Sequence, residues 1–220
     1  MLLMFDIRQT ARCLESMEGL SRFPIHTICS LQPNHCSRKV LTASSAGPCL
    51  WDASGCGERP FLIPGLENQG ICISLATGLS NGEIVASFRP KIELPGDAAP
   101  SQTPASPSQP IYSAGKLGSH VNIKMINGTS FQTIHAVSGY VSEVRMSKSA
   151  IICPERNNSR FAFGDESTHG VCLWNLPSFH VHSRHRPHLH PILDLKYSSY
   201  GSSGLLGCLS ESKLQVFTCL

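Results

Sequence analysis

Apolar positions in this chain come in short bursts. Runs of about four to eight apolar, β-branched or small residues recur, each closed by Gly, Pro, Ser or Asn, and helical spacing is almost absent. The bursts predict strands over residues 2–7, 24–31, 39–44, 48–52, 70–76, 83–91, 120–126, 131–136, 141–146, 160–163, 171–176, 179–182, 191–197, 205–209 and 213–217. That pattern is an all-β chain. Residues 94–118, "LPGDAAPSQTPASPSQPIYSAGKLG", are rich in Pro, Ser and Ala and too polar to pack, so a disordered loop inserted between two strands is expected there.

Two of the bursts repeat one plan. "KVLTASSAGPCLWDASG" and "RFAFGDESTHGVCLWNLPSF" each run a small-residue strand into a turn and then Cys-Leu-Trp followed by an acid or its amide, Trp51-Asp52 and Trp174-Asn175. A third, "LLMFDIRQT", ends its strand on Asp6, 46 positions before Asp52, and Asn175 lies 123 positions after Asp52. A period of about 40 to 45 residues with Trp-Asp closing one strand per unit is the signature of a WD40 β-propeller. One unit between the two Trp has lost its Trp-Asp. Counting strands predicts about three full blades plus half blades at each end. Because unpaired strand edges are normally covered, residues 1–220 are expected to form the C-terminal part of a larger, seven-bladed ring.

Composition then narrows the function. Charged residues are only 15 % and the net charge is +3, too little for a general nucleic-acid binder, so no direct nucleic-acid contact is expected. The ten cysteines include no Cys-x-x-Cys pair; Cys72, Cys172 and Cys208 sit inside apolar runs and read as buried small hydrophobes in a reducing compartment. Asp6, Arg8 and Arg12 interrupt the apolar start before a signal-peptide core of about 7 to 15 residues is complete. A soluble, intracellular protein without a membrane partner is expected.

Catalytic patterns are missing from the sequence: it holds no nucleophile elbow, no P-loop and no paired carboxylates, and no cofactor is expected. "SFHVHSRHRPHLHP" contains His180, His182, His185, His188 and His190, a density that can bind metal if the rings converge. A solvated strand with His180 and His182 on one face, Phe179 and Val181 on the other, accounts for it without metal. Asp165, in the turn after "RFAFG", is placed to accept hydrogen bonds within its blade, and Trp51, Asp52 and Trp174 are read with it as structural support. Alternation of strand direction sends second-to-third-strand turns and blade-to-blade links to the same rim. Arg22, Arg89, Lys91, Arg184 and Arg186 all fall on such connections, so a basic rim that docks an acidic partner is expected.

The phrases "LLMFDIRQTARCLESMEGL", "IHTICSL", "NQGICISLA", "IVASFRPKIEL", "SKSAII", "GDESTHGVCLWNLPSF", "HPILDLKY" and "GLLGCLSESKLQVF" resemble the C-terminal propeller of the RING finger and WD repeat E3 ubiquitin ligases. The resemblance implies a nuclear protein acting in the DNA damage response and in repair at stalled replication forks. There the propeller would recognise replication protein A. The closely spaced Cys and His series of a RING does not occur in these residues, so ligase activity is not theirs. The alternative expectation is a non-enzymatic interaction scaffold with the same fold.

Overall fold

A computed structural model describes residues 2–17, 22–31, 39–52, 60–78, 82–91, 115–126, 130–153, 159–185, 187–200 and 203–219, and among these every regular element is a strand. The first two, β1 (Leu2–Asp6) and β2 (Gln9–Met17), form an antiparallel hairpin. Three four-stranded antiparallel meanders follow. The first comprises β3 (Ile25–Leu31), β4 (Lys39–Ser44), β5 (Gly47–Asp52) and β6 (Phe61–Leu62). The second comprises β7 (Ile71–Thr77), β8 (Glu83–Arg89), β9 (Lys116–Met125) and β10 (Phe131–Val141). The third comprises β11 (Ala150–Ile152), β12 (Arg160–Asp165), β13 (Gly170–Asn175) and β14 (His180–Arg184). A three-stranded sheet of β15 (Ile192–Tyr200), β16 (Ser203–Ser210) and β17 (Leu214–Cys219) completes the order. The larger sheets are the blades of a partial β-propeller, whose first strands β3, β7, β11 and β15 pack in succession around a central channel.

Each pair of neighbouring blades is joined by one apolar cluster. Leu41, Ala43 and Leu50 of the first blade meet Ile84, Ala86, Phe88 and Ile123 of the second. Ile73 and Val85 from the other face of the second blade meet Phe161, Phe163 and Trp174 of the third. From the opposite face of the third blade, Ala162 and Leu173 meet Ile192, Leu206 and Cys208. Because both faces of a blade are covered, these strands read as continuous apolar runs instead of alternating ones. Cys72, Cys172 and Cys208 are buried in the clusters, where desolvation raises all three thiols, Cys72 and Cys208 to about 12.

Register identifies the unit that lost its signature. Val40 pairs with Trp51 and Phe161 with Trp174; at the same place in the second blade Ile84 pairs with Ile123. Ile123 and Trp174 both face the preceding blade, and Lys124 stands where the other blades carry Asp52 and Asn175.

Several strand expectations need correction. Residues 141–146 are not a strand: Val141 closes β10, and the Ser142 hydroxyl accepts the amides of Val144 and Arg145 at 3.4 and 3.0 Å, turning the chain. β2, β6 and β11 were not anticipated, since the first is polar and the others are only two and three residues long. Phe179 is a turn residue with φ of 54°, so its buried ring does not share a strand face with Val181, which is 53 % exposed. The insertion does connect two strands of one blade, β8 and β9. Its far end, however, is ordered: Gly115 is buried and Lys116 to Gly118 begin β9, while residues 94–114 lie outside the described residues.

Gly70, which leads into β7, shows how tightly the blades are set. Its φ is 111°, and a Cβ there would stand 2.2 Å from the carbonyl oxygen of Arg89. Gly70→Ala combines a conformation that L-residues avoid with a backbone clash, and is expected to cost about 2 kcal/mol or more. Gly47, at φ 131° with nothing within 4 Å of its Cβ position, is the control for the conformation alone and should lose about 1 kcal/mol. Thermal melts of the two variants test this; equal losses would remove the clash from the account.

Candidate functional site: the upper rim and the channel mouth

One rim of the propeller, here the upper, collects the second-to-third-strand turns and the links between blades. In three of the blades a residue of the incoming link is bonded to the second-to-third-strand turn or to the strand end beside it. In the second blade Ser119 donates to Gln69 Oε1 at 2.9 Å. In the third, Arg145 Nη1 donates to Glu166 at 3.2 Å, and its Nη2 reaches Glu211 of the next blade at 3.4 Å. In the fourth, His188 Nδ1 and the Ser210 hydroxyl lie 2.9 Å apart, both buried. Glu166 is 9 % exposed, so its pair with Arg145 is better shielded than an ordinary surface bridge. These ties fix the loops of successive blades in one surface.

The five expected rim cations are spread over this surface unequally. Arg22 precedes β3, Lys91 follows β8 and Arg184 ends β14, and all three are exposed. Arg89 differs. Its side chain is half-buried and donates from Nη1 to the Glu143 carbonyl, holding the link that leaves its own blade instead of facing solvent. Arg186 lies outside the described residues. Acidic groups share the rim, among them Glu67, Asp165 and Glu211, and Glu143 pairs with Lys116 at 3.5 Å. The surface therefore carries mixed charge, with exposed cations on separate blades.

Asp165 Oδ1 accepts from the Ser167 amide at 2.8 Å, the Ser167 hydroxyl at 2.5 Å and the Thr168 amide at 3.2 Å. All three bonds close its own turn. Trp174 is buried among aromatic rings, with Phe161 at 5.7 Å and Phe163 at 6.3 Å between centroids. Trp51 is 2 % exposed at the matching place in the first blade, and Asp52, half-buried, ends the same strand.

The histidines of 180–190 take different environments. His180 and His182 are exposed, His185 stacks on Phe217 at 4.4 Å, and His190 stands 3.7 Å from Glu211. With His188 turned inward onto Ser210, the rings diverge; no metal-holding group occurs among the described residues.

Sequence reading missed the channel mouth. An open cavity of about 370 Å³ is lined by the first strands of the four blades, and at its upper end stand His26, Thr27, Lys148 and Asp194. The Lys148 ammonium reaches the His26 carbonyl at 3.1 Å, Thr27 Oγ1 at 3.3 Å and His26 Nδ1 at 3.4 Å, all neutral groups. Burial lowers its pKa, opposed by Asp194; burial and then the Lys148 charge lower that of His26. No family model matches the chain, and no curated protein matches it.

Proposed function

We propose that this propeller is the substrate-recognition part of a nuclear RING-type E3 ubiquitin-protein ligase of the DNA damage response, docking replication protein A through its upper rim. The observation carrying the reading is a braced rim that presents Arg22, Lys91 and Arg184 to solvent from three blades. A propeller serves as a protein-binding platform because loops from several blades meet one partner at once. The phrases that resemble the RING finger and WD repeat ligases support reading it as the platform of such a ligase. Transfer chemistry belongs to a RING, whose zinc ligands are not in this sequence, and the remaining blades of a seven-bladed ring would complete the platform.

Charges at the edge of an interface act chiefly on encounter. Reversing Lys91 and Arg184 to Glu is therefore expected to slow association with replication protein A by about tenfold at low salt, with a smaller change in dissociation. Surface plasmon resonance at two salt concentrations reads both rates. An unchanged on-rate with an unchanged salt slope would move the docking face elsewhere, and no binding by the unaltered protein would reject this partner.

A further inference from the structure

We propose that the upper mouth of the central channel is a binding site for an acidic residue of an extended peptide, its carboxylate taken by Lys148 and Lys196 and a main-chain N–H by Asp194. The inference rests on reading the upper face as the docking face and adds the chemistry of the segment that is read there.

The channel brings these groups together from β3, the link into β11, and β15. Lys148 hydrogen-bonds only neutral oxygens and an imidazole, and Asp194 is the one carboxylate of the cavity lining that offsets its charge. Lys196, exposed and two residues beyond Asp194 on β15, lines the same cavity. Two ammonium groups against one carboxylate leave the mouth net positive, and an entering carboxylate would be drawn to it.

Asp194 decides for a peptide over a simple anion. Its Oδ1 is buried without a hydrogen-bond partner among the described residues, and an acceptor left in that state is costly. A halide or a simple carboxylate has no donor to offer it, whereas a peptide carries an N–H beside every acidic side chain. The volume agrees: about 370 Å³ is far more than one carboxylate needs and falls within the range of small-ligand pockets. Strand direction places the start of β3, the entry to β11 and the start of β15 at the upper end. A segment lying on the rim could therefore lower one side chain into the channel.

The test uses the whole chain and a fluorescein-labelled ten-residue peptide carrying four aspartates, followed by anisotropy, against the same peptide with asparagines. The aspartate peptide should bind and the asparagine peptide should not. Lys148→Gln should weaken binding at least about tenfold. Asp194→Asn keeps the acceptor and removes the opposing charge, so it should tighten binding by about fivefold. That gain cannot come from misfolding. Wild-type affinity in Lys148→Gln, no gain in Asp194→Asn, or equal binding of the two peptides would each overturn the proposal. If the Lys91 and Arg184 reversal abolishes binding while Lys148→Gln leaves it intact, the rim reading stands and the channel site fails. The opposite pattern keeps the channel and removes the rim.

Discussion

Trp174→Ala is expected to destabilise the protein by about 4 kcal/mol, near the upper end of large-to-small core changes. The indole is 6 % exposed and sits at the junction of two blades, against Phe161 and Phe163 of its own sheet and Phe179 at 6.5 Å. His120 of the preceding blade lies 5.5 Å away. Truncation would leave four rings facing a void that neither sheet can close, because both are fixed by the rim ties beyond it. Asp165→Ala should cost only about 1 kcal/mol, since its three bonds are local to an exposed turn. Urea midpoints of the two variants provide the comparison. Equal losses would mean that Asp165 supports the blade as a whole and that the turn is more than a local cap.

The same contrast shows what a single sequence reveals of this molecule. Blades were legible because strands buried on both faces, such as "FAFG" and "VCLW", are written in apolar and small residues, and because Trp51 and Trp174 mark equal register positions. Strands with polar composition, β2 above all, carry no such mark. The rim was legible as topology, since alternation alone fixes where Arg22, Lys91 and Arg184 emerge. Whether a cation faces solvent is settled by partners distant in sequence: Arg89 is claimed by the Glu143 carbonyl, 54 residues later. The channel mouth was hidden for that reason too. Lys148 and His26 are 122 residues apart, and only the packing of successive blades around a common axis makes them neighbours.

His120 makes the junction of the second and third blades sensitive to acid. Its side chain is fully buried, with Nδ1 and the Ser87 hydroxyl 2.8 Å apart and the ring 4.1 Å from Phe163 and 5.3 Å from Phe161. Nε2 has no hydrogen-bond partner among the described residues, and a Cβ on Gly139 would stand 2.7 Å from it, which leaves no room for a solvating group. Burial alone lowers the imidazole pKa to about 3, against 6.5 unperturbed. The folded protein thus holds the ring neutral while the unfolded chain takes up a proton below pH 6.5. This contribution to stability is complete above pH 6.5 and is lost as pH falls from 6.5 towards 3, amounting to about 2 kcal/mol between pH 7 and pH 5. His26 and His185 are lowered as well, so the total acid dependence exceeds this share. Comparing urea unfolding at pH 7 and pH 5 for the unaltered protein and for the His120→Leu, Ser87→Ala double variant isolates it. The variant starts from a different stability, but its loss between the two pH values should be smaller by about 2 kcal/mol. An identical loss in both proteins would show that His120 is free to take up its proton within the fold.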